Sequence, residues 1–275
     1  MKIARFLTTD GKLEHGMLRG EQVEMIRGDI FGTWEPSGTM LDLKQVRLSA
    51  PLDPPNVLCL GKNFRSLPGE QSSKFPKTPL TFIKSNTSVI GPGESIVLPA
   101  MAPNEIYHEA ELAVIVGRRA RNVAEEDAPE FVFGYTVAND IGARDCQTAD
   151  GQWARAKSFD TFCPLGPWIE TRLDPGNCQI RSRINKVLVQ DSTTALMIFD
   201  VSQTVSFLSH CMTLMPGTVI CMGSPGVLQE SRPLLKPGDV VEVEVAGIGA
   251  MANRVLIESA TPPSNDGTRP PCATS

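Results

Sequence analysis

The stretch that decides the fold is residues 109–116, Glu-Ala-Glu-Leu-Ala-Val-Ile-Val, in which two carboxylates stand directly before a continuous apolar run. The run has the length of a strand that is buried on both faces. Because side chains two residues apart in a strand point to one face, we expect Glu109 and Glu111 to project together from a strand over residues 106–116. His108 then faces away from them and is assigned a structural role.

Two like charges on one strand face repel each other, so the glutamate pair needs a neutralising partner. A solvated strand edge is the usual explanation for an isolated Glu-x-Glu. The buried run that follows this pair favours a divalent cation instead, and carboxylates with water suit Mg²⁺, Mn²⁺ or Ca²⁺.

Short runs of β-forming residues recur between glycines and prolines along the rest of the chain. They lie at residues 57–60, 80–84, 131–139, 179–184, 218–222 and 240–246. Two segments have helical patterns, Glu125–Glu130 and Val201–Met212. This arrangement predicts a mixed α+β fold that is mostly β, a roll or barrel with few helices.

A proline-rich connector, Ala50-Pro51-Leu52-Asp53-Pro54-Pro55, interrupts the chain. Proline restricts its own backbone and that of the preceding residue, so a domain boundary is expected there. The prediction is a small β-rich N-terminal module over residues 1–50 and a catalytic domain over residues 51–260. Residues 261–275 are rich in proline and polar residues and are expected to be disordered.

The overall charge excludes some partners. The formal net charge is −5 and the isoelectric point is about 5.3, which disfavours non-specific nucleic-acid binding. A local cation or bound metal could still hold a small anionic substrate. No apolar run is long enough to span a membrane. The seven cysteines are scattered without the spacing of a metal or redox clamp, as expected of a cytoplasmic protein with reduced thiols.

Two further segments carry candidate functional groups. A β-patterned run ends at Asn139-Asp140, and Asp140 is a candidate third metal ligand. Arg144 follows four residues later and could hold a substrate carboxylate if the chain turns helical there. A helix cap with a surface arginine explains this segment equally well. Lys157 is a surface lysine unless it lies near the metal, where it would stabilise an oxyanion.

Several motifs in order resemble the fumarylacetoacetate hydrolase family, from about Ala50 to Asn253. They are Gly61-Lys62-Asn63-Phe64-Arg65, Glu109-Ala110-Glu111-Leu112, the segment 134–145, Lys157-Ser158-Phe159-Asp160-Thr161, the segment 185–190, Pro216-Gly217-Thr218-Val219-Ile220, and Leu235-Lys236-Pro237-Gly238-Asp239 with Gly247-Ile248-Gly249.

The resemblance implies a β-roll catalytic domain, a homodimer, and one Mg²⁺ or Mn²⁺ per site. By the same resemblance Glu109, Glu111 and Asp140 are the metal ligands. It also implies a substrate site formed by Arg144, Gln147 and Lys157, with Ser224 standing where the family commonly has threonine. The substrates implied are 2-oxo and 1,3-dicarbonyl acids, whose enolate the metal stabilises.

The chain departs from the hydrolytic members at one decisive place. Those members carry a His-Glu pair that activates water, whereas this chain has Leu67 at the histidine position and Glu70 at the glutamate position. Leucine cannot deprotonate water. A second departure is Lys186, which replaces a turn glycine where a positive φ is expected.

We therefore expect a metal-dependent enzyme that works by a non-hydrolytic route: decarboxylation, tautomerisation, or a lyase or cyclisation step. In this scheme Glu70 is the acid or base, and Arg144 and Lys157 hold anionic oxygens. Hydrolysis of an acylpyruvate or fumarylacetoacetate-type acid with Glu70 alone is the first alternative. An inactive family member that serves as a binding or scaffold protein is the second.

Overall fold

The computed structural model describes residues 1–66, 69–70, 75–102 and 104–258. Leu67, whose identity bears on hydrolysis, and the predicted tail at 261–275 lie outside the described residues. Strands hold 43% of the chain and helices 15%, so the predicted mixed, mostly β class is confirmed. Within the described ranges, no helix is long and apolar enough to cross a membrane.

Nineteen strands are described, and we number them in chain order. The first ten are β1 Lys2–Leu7, β2 Leu13–Arg19, β3 Gln22–Gly28, β4 Trp34–Asp42, β5 Arg47–Leu48, β6 Val57–Gly61, β7 Leu80–Lys84, β8 Val89–Ile90, β9 Ile96–Leu98 and β10 Ile106–Tyr107. The others are β11 Ala110–Val116, β12 Val132–Asn139, β13 Gly142–Ala143, β14 Cys163–Glu170, β15 Gln179–Ile184, β16 Val187–Thr193, β17 Val219–Cys221, β18 Val240–Val245 and β19 Gly249–Ile257.

The described α-helices are short: α1 Arg144–Asp150, α2 Ala154–Lys157 and α3 Val201–Cys211. The helix expected over Val201–Met212 is thus confirmed as α3. Its first turn is closed by Asp200 and Gln203, each of which accepts a hydrogen bond from the other's backbone N–H. The helix expected over Glu125–Glu130 is wrong, since the structure has only a 3₁₀ turn at Ala128–Phe131. Three consecutive acids followed by Pro129 leave that segment without an apolar helical face.

A large sheet runs in the order β4-β3-β2-β1-β14-β12-β11-β17-β6-β7, with β5 and β8 joined to β1 and β14. The N-terminal strands therefore belong to the same sheet as β6, β7, β11, β12, β14 and β17, through the pairing of β1 with β14. A second sheet has the order β16-β15-β18-β19-β9, and β10 pairs with β13.

Strand β11 is buried along its whole length, as its continuous apolar run predicts. Leu112, Val114 and Val116 belong to the larger hydrophobic cluster, which fills the space towards the second sheet. Ala113 and Ile115 belong to the cluster on the opposite face. Alternate side chains thus pack into two different parts of the core, which fixes the register of β11 firmly.

The single strand expected over residues 106–116 is interrupted. Strand β10 ends at Tyr107, and β11 begins at Ala110. The break arises because the two pieces pair with different partners, β13 and β12. The backbone N–H of Asp140 donates to the carbonyl of Glu109 at 2.8 Å, which brings these two carboxylates together.

Lys186 has a φ of 71° in the tight turn between β15 and β16, as expected for a position where glycine is usual.

Candidate metal and substrate site

Three carboxylates meet where β11 begins and β12 ends. One ligand oxygen from each of Glu109, Glu111 and Asp140 lies within 4.8 Å of the other two. Glu111 and Asp140 are about 1% exposed, whereas Glu109 is partly open. Burial, together with the charges of Asp140 and Glu109, raises the pKa of Glu111 well above its ordinary value. Glu111 forms no ion pair with the described lysines and arginines, and a hard divalent cation with oxygen ligands would balance its charge.

Two buried lysines neutralise much of this charge. Lys157 donates to Glu109 Oε2 at 2.7 Å and to Asp140 Oδ2 at 2.6 Å. Lys84 donates to the other Asp140 oxygen at 2.5 Å and to the Ile141 carbonyl at 3.0 Å. Burial opposes charge on all three groups. The ion pairs outweigh it, so the pKa of Asp140 is lowered and those of both lysines are raised.

The backbone around the cluster is shaped by glycine at two places. Gly223 has a φ of 86°, and its N–H donates to Glu111 Oε2 at 2.8 Å. At Gly142 a Cβ would lie 2.7 Å from the Tyr107 ring and 3.0 Å from the Lys157 side chain. Asn63 holds the loop before Gly223 by donating from Nδ2 to the carbonyls of Met222 and Phe199.

A cavity of about 140 Å³ opens onto the carboxylates. The cavity is small, which suits a small acid. Three carboxylates and five further polar or basic side chains line it: Glu109, Glu111, Asp140, Lys62, Tyr107, Gln147, Lys157 and Ser224. A larger cavity of about 260 Å³ lies among the N-terminal strands. Among the described residues, the three carboxylates above form the single group with metal-ligating geometry.

The structure places the predicted substrate residues unequally. Gln147 and Ser224 line the cavity, and Gln147 Oε1 accepts the Tyr107 hydroxyl at 3.2 Å. Arg144 is exposed at the start of α1, with its guanidinium 5.4 Å from the centre of the Tyr107 ring. Glu70 accepts the Ser66 backbone N–H at 2.7 Å and is not among the residues that line this cavity.

Comparison with known proteins gives the family. A model of the C-terminal domain of fumarylacetoacetate hydrolase matches residues 56–256, and a "Rv2993c-like, N-terminal" model matches residues 1–51. The first match alone covers well over half of the chain. The chain belongs to the fumarylacetoacetate hydrolase family.

Relatives in this family are named for more than one reaction. The mitochondrial oxaloacetate tautomerase fahd2 of Xenopus laevis is 40% identical, over 79% of this chain and 70% of its own length. The structure of 5-carboxymethyl-2-hydroxymuconate delta-isomerase from Mycobacterium smegmatis is 39% identical, with a TM-score of 0.86, covering 94% of this chain and 100% of that one. A fumarylacetoacetate hydrolase from Exiguobacterium antarcticum is 33% identical, with a TM-score of 0.87 and the same coverage.

The sequence analysis missed three residues that contact the carboxylate cluster or line its cavity. Lys84 lies 56 residues before Asp140, and nothing in the local pattern of β7 distinguishes it from a surface lysine. Arg232 lies 3.3 Å from Glu109 Oε1 and donates to the His108 carbonyl, although it comes from a loop without a regular pattern. Tyr107 precedes Glu109 by two residues, and this closeness in sequence was the signal that could have identified it.

The pKa of His108, which lies next to Glu109, can be used to test whether the surroundings of the site are buried. Burial, and then the charge of Arg232, lowers the pKa of His108 from 6.5 to about 3. Below pH 6.5 the unfolded chain therefore binds a proton that the folded chain does not. The free energy of unfolding accordingly decreases as the pH is lowered. We expect His108→Gln to remove about 2–3 kcal/mol of that loss between pH 6.5 and about pH 4.5.

Urea unfolding at the two pH values measures this difference. His210→Gln serves as the control, because His210 is exposed at the end of α3. Equal acid sensitivity in the wild type and His108→Gln would contradict a neutral, buried His108.

Proposed function

We propose that this chain is a divalent-metal-dependent enzyme that interconverts the keto and enol forms of a small 2-oxo or 1,3-dicarbonyl acid of the oxaloacetate type. The observation that carries the proposal is the Glu109, Glu111 and Asp140 cluster, set in a small cavity with Lys157 and Ser224. The names of the tautomerase and isomerase relatives support this choice within the broader non-hydrolytic group.

The donor set fits Mg²⁺ or Mn²⁺, held by Glu109, Glu111 and Asp140. Such an ion, when bound, supplies Lewis-acid stabilisation of the negative charge that develops on a substrate oxygen. Lys157 is a fixed cation beside this position, and its ammonium orients the two carboxylates that it contacts. The buried cluster therefore enters the reaction with its charges already placed.

Tyr107, which lines the cavity, and the charged residues near it are proposed to orient the acid. Burial raises the pKa of Tyr107, so its hydroxyl stays protonated and acts as a donor. The guanidinium groups of Arg144 and Arg232 lie 5.4 and 5.7 Å from the centre of the same ring, and their positive charges favour a carboxylate in the cavity beside it. In the proposal Glu70 moves the proton between carbon and solvent. Its place in the sequence motif supports this role, whereas the cavity lining in the described structure does not include it.

The test follows the enol absorbance of oxaloacetate with Mg²⁺, with EDTA, and with Mg²⁺ but no protein. We expect the protein to accelerate the approach to equilibrium only when the metal is present. Glu70→Gln should lower kcat by about 10²-fold or more while Mg²⁺ affinity stays unchanged. Glu35→Gln makes the same chemical change at an exposed site and serves as the control. If folded, Mg²⁺-bound protein leaves the rate of oxaloacetate tautomerisation the same as Mg²⁺ alone, the proposal is refuted.

Hydrolysis is the second candidate, because the fumarylacetoacetate hydrolase from Exiguobacterium antarcticum shares the fold over 94% of this chain. We expect the wild type to cleave an acylpyruvate poorly and Leu67→His to raise the rate at least about tenfold, because imidazole can take a proton from water. Leu67→Asn is the matched polar control. Release of pyruvate, measured with a coupled assay, decides the point, and rapid cleavage by the wild type would assign the protein to the hydrolases.

A further inference from the structure

Ser224 lines the cavity beside the carboxylate cluster, and its hydroxyl is held by a neighbour. Gln190 Nε2 donates to Ser224 Oγ at 2.7 Å. The hydroxyl hydrogen of Ser224 has one acceptor among the described residues, the Pro225 carbonyl at 3.3 Å. That carbonyl already accepts a shorter bond of 2.8 Å from Gln190. The Ser224 hydrogen is therefore weakly held and can turn towards a ligand.

The orientation of the Gln190 amide is fixed by its four hydrogen bonds. Its Oε1 accepts from the Ala110 backbone N–H at 3.0 Å and from Ser182 Oγ at 2.9 Å. Its Nε2 donates to Ser224 and Pro225. A flipped amide would oppose the Ala110 N–H with a donor and the Pro225 carbonyl with an acceptor. Gln190 is fully buried, so water could not compensate such a loss.

A second buried pair sets the direction of the chain of hydrogen bonds. Because Ser182 donates to Gln190, its oxygen accepts from His108 Nε2 at 2.8 Å. His108 is then protonated at Nε2, and its Nδ1 lacks a partner among the described residues. Each group from His108 through Ser182 to Gln190 has its donor and acceptor roles assigned. The last member, Ser224, accepts a hydrogen bond from Gln190, and its own hydroxyl hydrogen remains to be donated.

We infer that Gln190 is a positioning residue that holds Ser224 as a hydrogen-bond donor to an anionic or carbonyl oxygen of the bound acid. This inference rests on the proposed function, since it concerns how the same cavity binds a 2-oxo acid. The arrangement favours a ligand that presents a hydrogen-bond acceptor to Ser224.

The closing experiment measures the binding of oxalate, which resembles the enolate of a 2-oxo acid, to the Mg²⁺-loaded protein by calorimetry. The proteins are the wild type, Ser224→Ala, Ser224→Thr, Gln190→Glu and the Gln190→Glu/Ser224→Ala double variant. Gln190→Glu keeps the shape of the side chain but presents an acceptor to Ser224, which then turns its hydrogen away from the ligand.

We expect Ser224→Ala and Gln190→Glu each to weaken oxalate binding about tenfold, and Ser224→Thr to bind nearly as the wild type does. In the Ser224→Ala background, Gln190→Glu should cost less than about threefold, because the hydroxyl through which Gln190 acts is gone. Simple charge repulsion by the new carboxylate would instead cost the same in both backgrounds. Mg²⁺ affinity, measured separately, should stay unchanged in Ser224→Ala.

Equal losses from Gln190→Glu in both backgrounds would overturn the inference, as would full oxalate affinity in Ser224→Ala. Gln190→Met removes the donor without adding charge and must repeat the pattern if Gln190→Glu does not fold. Wild-type protein that binds Mg²⁺ but not oxalate would refute the proposed substrate class itself. That result differs from one in which oxalate binds to the wild type and Gln190→Glu has the same effect with and without Ser224. The second result would overturn only the role of Gln190.

Discussion

Asp140→Asn is expected to abolish metal-dependent turnover, a fall of about 10³-fold or more. Asparagine keeps the shape but loses the negative charge that a divalent cation needs. The same change leaves two buried lysines without their shared partner, since Lys84 and Lys157 each bind one oxygen of Asp140. We therefore also expect the free energy of unfolding to fall by about 3–5 kcal/mol.

Two measurements separate these effects: Mg²⁺ titration of the folded variant and urea unfolding in EDTA. Asp160→Asn is the matched control, because it makes the same change at an exposed carboxylate close in sequence to Lys157. Full turnover in Asp140→Asn would remove Asp140 from the metal site. Unchanged stability would show that Asp140 does not carry the charge of the two lysines.

Lys84→Met should have the opposite effect on the metal. Lys84 is fully buried and places a positive charge against Asp140. Without it the protein in EDTA should lose about 2–4 kcal/mol of unfolding free energy, since one oxygen of a buried carboxylate loses its partner. The three carboxylates then carry more uncompensated negative charge, so Mg²⁺ should bind about tenfold more tightly.

The signature of Lys84→Met is thus a low Tm in EDTA and a larger rise in Tm on adding Mg²⁺ than the wild type shows. Lys236→Met, at an exposed position, controls for the loss of a lysine elsewhere. An equal Mg²⁺-dependent shift in Tm for Lys84→Met and the wild type would show that Lys84 does not act on the cation site.

The sequence predicted the site where its signals are local. Glu109 and Glu111 precede a buried run, and Asp140 follows another, so pairing of the two strands brings the three together. Lys84 and Arg232 could not be found in this way, because their positions depend on contacts between distant segments. The mostly β class followed from many short apolar runs. The failed helix at residues 125–130 shows the weakness of a short pattern without an apolar face.

The position of β11 and β12 within the large sheet has a consequence for hydrogen exchange. Each has a strand on both sides, β17 and β14 on their outer edges, and β11 is buried throughout. Their backbone amides can reach deuterated water only when much of the molecule unfolds, so they should be among the slowest to exchange. The carboxylates at the ends of these strands keep their spacing for as long as the protein stays folded. A cation that binds there therefore finds its ligands preorganised.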